Sequence, residues 1–398
     1  MEMQSIISVL DWTFFILLAV AVGYLFVFAL ASMRRREFTF ASSPVRHRFV
    51  VLIPSYKEDR VIEQSVASVL AQDYPRESFG VVVIADRFQG ATLERLRTLP
   101  IRLLEVAFEN SSKAKALNFA IEQLGAEPFE AAVILAADNT VGPDFLSRLN
   151  DAHHSGAQAV QAHRRAKNIH TDTALLDAVS EEINNSIFRK GHVALGISSA
   201  LIGSGMSFDY DWLRRHIASL CTAGEDKELE VLLLKEGVFI EYLDEVVVLD
   251  EKTAKQRSFY NQRRRWLSAQ FYALASGIRD LPGALFSGNF DYADKLFQWM
   301  MPPRILLLGA VPLGAGLLTW IDWHASLKWW MLLVFLLFAL AFAVPDYLVT
   351  PRFNKALRKA PLLGLLMALN LLRIRGARDK FIHTDHGDTP AGPEPETR

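Results

Sequence analysis

The sequence predicts an α/β fold: a mostly parallel central sheet covered by helices, with membrane-spanning helices at both ends. Three observations carry this. Short uninterrupted apolar runs alternate with amphipathic segments between residues 48 and 136. Such strands belong to sheets buried on both faces. Polar residues follow each run directly, where ligands bind in parallel sheets. Uncharged stretches of near bilayer length flank this region on both sides.

The first flank is TFFILLAVAVGYLFVFALAS, residues 13–32, with no charge. As a helix it is about 30 Å long, the thickness of the hydrocarbon layer. Arg34, Arg35 and Arg36 follow it rather than precede it, which opposes a cleavable signal peptide. The positive-inside rule then leaves the N-terminus outside and the rest of the domain in the cytoplasm. Residues 1–36 form the expected anchor.

Phe49 to Ile53 reads as a buried strand, followed by a helix over 61–71. Strands over 81–85, 101–106 and 131–136 follow, with helices over 91–98 and 114–124 between them. This domain is expected to span 48–266. Residues 267–303 mix aromatic and charged side chains and suit the membrane surface. A membrane hairpin is expected within 304–350: runs 305–321 and 329–344, joined by the loop DWHASLK. Residues 351–398 begin with Arg352, Lys355, Arg358 and Lys359, which suits a cytoplasmic return. They include a short apolar segment, 361–372, read as interfacial, and a tail disordered by composition. His383 and His386 in that tail read as solvated.

Composition narrows the function. The chain has 398 residues, a net charge of −1 and 51% hydrophobic residues. The charge gives no global attraction to nucleic acid. A single cysteine, Cys221, excludes an internal disulfide framework and a cysteine-rich metal site.

The chemistry-bearing residues stand at the ends of the apolar runs. After Ile53 come Pro54, Ser55, Tyr56, Lys57 and Glu58, where an aromatic ring beside backbone donors can hold a flat base. Asp86 ends the second strand and suits a base or ribose. Lys113 opens a helix in KAKALN, against the macrodipole preference, so an anion such as a diphosphate would relieve it. Asp138 ends AVILAADNT; a carboxylate facing a diphosphate calls for a hard divalent cation, Mg²⁺ or Mn²⁺. Glu225 and Asp226 precede an amphipathic helix, where a carboxylate serves as a cap or as a general base. Gln262, Arg265 and Trp266 share one helical face, fit for a sugar platform and a phosphate-binding arginine, or for a membrane-surface helix.

This ordered set resembles membrane-anchored inverting glycosyltransferases of family 2. It is most similar to processive β-polysaccharide synthases, such as those making hyaluronan, chitin, cellulose or poly-N-acetylglucosamine. The resemblance covers residues 49 to 344 and implies the GT-A nucleotide-sugar-binding fold. It implies that Pro54, Ser55, Tyr56, Glu58 and Asp86 hold the nucleotide, with Lys113 near the diphosphate. Asp138 matches the second carboxylate of a metal-binding D-x-D, and Asp226 the base of a T-E-D-like motif. Gln262, Arg265 and Trp266 match Q-x-x-R-W, over the acceptor sugar and donor diphosphate. Gly203, Ser204 and Gly205 fall in an acceptor-side loop, with Glu225 beside it. The first carboxylate of D-x-D is missing, since Ala136 stands there.

The implied reaction moves a sugar from a UDP-sugar to a sugar hydroxyl at a bacterial-type inner membrane, with the catalytic domain in the cytoplasm. The product expected is a β-linked polysaccharide or oligosaccharide; a separate accessory export subunit is a compatible partner. Single addition to a lipid or lipid-linked acceptor, as in ceramide glucosyltransferases, shares the arginine–tryptophan motif. A non-catalytic nucleotide-sugar sensor would need neither the base nor Q-x-x-R-W.

Overall fold

The computed structural model describes residues 2–34, 40–220, 224–252 and 256–357; side chains at 2–7 and 256–266 lie outside the description. Eight strands are described: β1 (Phe49–Tyr56), β2 (Phe79–Asp86), β3 (Arg102–Val106), β4 (Ala131–Ile134), β5 (Thr140–Val141), β6 (Ala159–Ala166), β7 (Met206–Asp209) and β8 (Ile240–Asp250). They form one sheet in the order β3-β2-β1-β4-β7-β6-β8-β5. β3, β2, β1 and β4 run parallel. β7 is antiparallel to β4 and β6, β6 and β8 are parallel, and β5 is antiparallel to β8. The chain leaves β1 for β2 and β3 on one side, then returns to β4 on the other. That reversal opens a crevice beyond the carboxyl ends of β1 and β4.

The continuous apolar runs are explained by the two faces. Val50, Leu52, Val82, Ile84 and Ile134 pack into one core with helix Lys113–Leu124. Phe49, Val51, Ile53, Val81, Val83 and Val133 pack into the other, against helices Ile62–Leu70 and Phe145–His154. Each of these strand residues therefore meets a core.

His153 sits beneath this second core. Its Nε2 lies 2.7 Å from Ser207 Oγ and its ring meets Phe49 edge-on. Burial pushes its pKa down to about 4 from 6.5. The folded pKa is below the unfolded one, so stability is present above pH 6.5 and lost as pH falls toward 4. The loss is about 3 kcal/mol over that window. Thermal unfolding of detergent-solubilised protein should show this slope, and His153→Gln should flatten it.

Three described helices are long and apolar enough to cross a membrane: Ser8–Ser32, Arg304–Ile321 and Trp323–Ala343. The expected seven-residue loop of the hairpin is not there. Asp322 caps the last helix, its side chain accepting from Ala325 N at 3.2 Å, so the helix takes in Trp323 to Lys328. An N-capping aspartate outweighs the polar look of the segment. Close packing holds the three together. The Trp329 ring lies against Gly314, and its indole donates to Asp11 at 2.8 Å. Asp11 also pairs with Lys328.

The first span docks on the domain through a π-helical turn, Ser186–Gly191. A Cβ on Gly191 would sit 2.2 Å from the Phe28 carbonyl oxygen. Backbone meets backbone there, so nothing flexible can yield. We expect Gly191→Ala to cost roughly 2–3 kcal/mol, at the upper end of overpacking. Midpoints of thermal unfolding would check this; an unchanged midpoint would refute it.

Candidate active site

Each functional side chain is placed by a strand end. Tyr56 and Asp86 are in register at the ends of β1 and β2. The next residues, Lys57 and Arg87, both have left-handed backbone, with φ of 56° and 57°. Such turns cost a side-chain-bearing residue on the order of 1 kcal/mol or more and cluster at functional sites. They are held by hydrogen bonds from Lys57 N to Asp86 O and from Arg87 N to Val106 O, both 3.1 Å. The turn sends the chain away from the crevice and leaves Tyr56 and Asp86 at its rim. Asp86 is buried, and its Oδ1 has no hydrogen-bond partner. An imide N–H or a ribose hydroxyl would supply one. Ser55 is buried behind them, donating to Ile53 O. Pro54 lies in the strand beside Ile84. The Glu58 carbonyl accepts from Val61 N and Ile62 N, which starts the following helix.

Beyond β4 the turn is built by Asn139. Its Oδ1 accepts from Ala136 N at 3.0 Å, and its amide donates to Asp250 Oδ1 at 3.1 Å. Asp138 is buried; its Oδ2 accepts from Glu251 N at 2.9 Å. The Lys167 ammonium donates to the Asp138 carbonyl. Behind Asp250 lies a buried charge network of Arg164, Glu181, Arg189 and Lys252. Burial alone would push the Glu181 carboxyl up, but Arg164, Lys252 and Arg189 hold it at about 2. Among the described residues no three His, Cys, Asp or Glu gather to hold a metal. One carboxylate with phosphate oxygens and water is still a set that Mg²⁺ or Mn²⁺ accepts. Asp138 is the carboxylate that would hold such an ion; its Oδ1 also accepts from Asn139 Nδ2 at 3.4 Å.

The third group forms between helix Lys113–Leu124, the 203–205 loop and helix Glu225–Lys235. Ser112 caps helix Lys113–Leu124, accepting from Lys115 N at 3.2 Å. Lys113 Nζ donates to Gly203 O and pairs with Glu225 Oε1 at 3.2 Å. Gly203 and Gly205 have φ of +82° and +64°. A Cβ on Gly203 would lie 3.6 Å from Glu225 Oε1 and 3.8 Å from Asp226 Oδ2. The 203–205 loop thus runs against both carboxylates. Gln161 pins the loop: its amide donates to Ser204 O at 3.0 Å, and its Oε1 accepts from Ile202 N at 3.0 Å. Ser204 is buried, with an unpartnered Oγ.

Glu225 and Asp226 occupy the first turn of helix Glu225–Lys235, where the macrodipole favours carboxylates. Their environments differ. Glu225 is buried; burial and the neighbouring Asp226 push its pKa up, against the pull of Lys113. The Asp226 side chain is 21% exposed, and its Oδ1 accepts from Lys227 N at 2.9 Å. A paired, buried carboxylate beside a more open one suits a support and a reacting group.

The structure therefore joins Lys113, Gly203, Glu225 and Asp226 in one cluster and places Tyr56 beside Asp86. Gln262, Arg265 and Trp266 fall on helix Gln256–Gly277, but their side chains lie outside the description. Sequence reasoning missed Gln161, Asn139, Lys167, Glu251 and the network behind them. The signal for Gln161 was present: a lone amide inside the apolar start of β6.

A family model described as "Glycosyltransferase like family 2" matches residues 47–269. An N-acetylglucosaminyltransferase of Rhizobium meliloti (strain 1021) is 25% identical over 317 residues, covering 74% of this chain and 71% of that protein. A solved structure, the mannosyltransferase PcManGT of Pyrobaculum calidifontis in complex with GDP-Man and Mn²⁺, is 19% identical with a TM-score of 0.50. That likeness covers 81% of this chain and 97% of the other, and it is one of fold.

Proposed function

Since the chain belongs to glycosyltransferase-like family 2 and has the GT-A fold, we propose that it is an inverting transferase that moves a sugar from a UDP-sugar to a sugar hydroxyl. It builds a β-linked polysaccharide or oligosaccharide. One observation carries this: two carboxylates of unlike environment, Glu225 and Asp226, abut the Gly203–Gly205 loop beside the Lys113 ammonium.

In this reading Tyr56 and Asp86 hold the base and ribose, with Pro54, Ser55 and Glu58 shaping the loop. The acceptor lies along Gly203, Ser204 and Gly205. Asp226 takes the acceptor hydroxyl proton as that oxygen attacks C1 from the face opposite the diphosphate. The C1–oxygen bond to UDP breaks, its electron pair leaves with UDP, and the configuration inverts from α to β. A divalent cation at Asp138 supplies positive charge to the diphosphate when bound. Lys113 adds to that charge, and Arg265 would do so from its helix. Gln262 and Trp266 complete the acceptor side. Glu225 holds Lys113 and the loop in place.

The three candidate spans support membrane association. Arg34, at the end of the first helix, favours a cytoplasmic domain on a bacterial-type inner membrane. The name of the Rhizobium relative makes UDP-N-acetylglucosamine the first donor to try. The test is a donor screen with purified protein, reading UDP release with and without Mg²⁺ or Mn²⁺ and sizing the product. A ladder of products supports chain building; one added sugar on a lipid supports single addition. No release of nucleotide from any donor refutes the reading.

A further inference from the structure

Helix Glu225–Lys235 carries Asp226 on its first turn and Glu230 on the next. Glu230 is fully buried, and so is Lys295, which pairs with it at 2.9 Å. Glu230 Oε1 also accepts from Leu201 N at 3.0 Å. Its other oxygen pairs with Lys227 at 3.2 Å, and Lys227 donates to Leu201 O at 3.1 Å. Glu230 and Lys227 therefore grip both backbone groups of Leu201, two residues before Gly203.

Lys295 belongs to helix Phe290–Met300. One residue earlier on that helix, Asp294 accepts from the Tyr24 hydroxyl of the first membrane span at 2.7 Å. Gln298 donates to the same carboxylate at 2.6 Å, and its Oε1 accepts from Lys295 at 2.9 Å. His192, stacked on Phe28 at 3.8 Å, closes the group, with Nε2 3.3 Å from Asp294. One helix thus carries two buried polar joints, one to the Asp226 helix and one to the span. Leu233 and Leu296 lie in the same apolar core, so cohesion is already available there. A buried ion pair is a poor source of stability but fixes direction and register.

We propose that Glu230 and Lys295 are positioning residues that set Asp226 and the 203–205 loop against each other, and that the Asp294–Tyr24 contact refers this setting to the first membrane span. The inference rests on Asp226 being the base.

The test uses the full chain in lipid nanodiscs, with UDP as the binding probe and UDP-N-acetylglucosamine as donor. Lys295→Met alone leaves the buried Glu230 carboxylate with Lys227 as its one remaining cation and risks unfolding. The decisive variant is Glu230→Gln with Lys295→Met, which removes both charges at similar volume. We expect UDP affinity within about twofold of the parent, kcat down by about tenfold or more and a raised acceptor KM. Tyr24→Phe and Asp294→Asn should shift the same two constants in the same direction by about threefold, with UDP affinity unchanged. Lys295→Arg, which keeps the pair, should retain most of the activity. The inference is overturned if kcat and acceptor KM stay at parental values in the double variant, or if UDP affinity falls in step with them. Should the double variant not fold, the Tyr24 and Asp294 variants decide: parental constants in both overturn it. Asp226→Asn runs beside them. If that variant remains active, the base assignment fails; if it is inactive while the others are unaffected, only this inference fails.

Discussion

Asp226→Asn is expected to lower turnover by about 10²–10⁴-fold, the range for a general base, or roughly 3–5 kcal/mol of activation free energy. The substitution keeps volume and leaves an oxygen able to accept from Lys227 N, a bond now 2.9 Å long. Helix Glu225–Lys235 should therefore stay in place, anchored by Glu230 one turn on. Proton acceptance is lost, together with the negative charge that faces Lys227 Nζ at 4.0 Å. Glu225 cannot take over, because it is buried and held by Lys113 at 3.2 Å. Affinity for UDP should change by less than about threefold, since the residues proposed to hold the nucleotide, Tyr56 and Asp86, lie on other elements, β1 and β2. Steady-state turnover with titration of UDP separates the two effects. Parental turnover would end the assignment of Asp226; a parallel fall in UDP affinity would show a structural role instead.

What could be read ahead of the structure follows from burial. β1, β2 and β4 were legible because both sheet faces are covered, which makes their sequences apolar without interruption; β3, at the sheet edge, carries exposed Arg102 and Glu105 and was legible from the apolar residues around them. β6 and β8 were not. β6 ends in His163, Arg164 and Arg165, and β8 carries Asp244 and Glu245 beside a register shift at Ala162–His163. Several of those charges are partnered inside the fold: Arg164 by Glu181, His163 by Glu182 and Asp244 by Lys190. A chain read in order cannot show such pairs, since the partners are distant in sequence. The same holds for the site. The places of Asp86, Asp138 and Asp226 in the chain were legible singly, because each follows an apolar run or starts a helix. That Lys113 belongs to Glu225 and the Gly203 carbonyl was not, because both partners are about a hundred residues away in sequence. The 322–328 segment misled because Asp322 and Lys328 look like loop residues. One is a helix cap, and the other is neutralised by Asp11.

The departure at Ala136 yields the second large effect. A diphosphate about 4 Å from a carboxylate is opposed by roughly 4 kcal/mol at the effective dielectric of such sites. In the proposed reading Asp138 would hold a divalent cation that offsets this repulsion, since Lys167, held on the Asp138 carbonyl, offsets only part of that charge. Asp138→Asn should reduce the metal-supported rate by at least the order of 10²-fold, the upper range for changes around metal ligands. It should also make the remaining rate insensitive to chelator. The reverse experiment is Ala136→Asp. Ala136 is half-open, whereas its neighbours Leu135, Ala137 and Asp138 are buried, so a side chain added there meets the crevice rather than the core. Its backbone N–H already donates to Asn139, which holds the turn whatever the side chain. Two carboxylates in place of one should lower the Mn²⁺ concentration for half-maximal rate by about tenfold, since small hard cations bind through one or two such groups. Direct Mn²⁺ titration by paramagnetic resonance reads this without turnover. Unchanged Mn²⁺ affinity in Ala136→Asp, together with a parental rate in Asp138→Asn, would place the charge compensation on Lys167 and Lys113 alone.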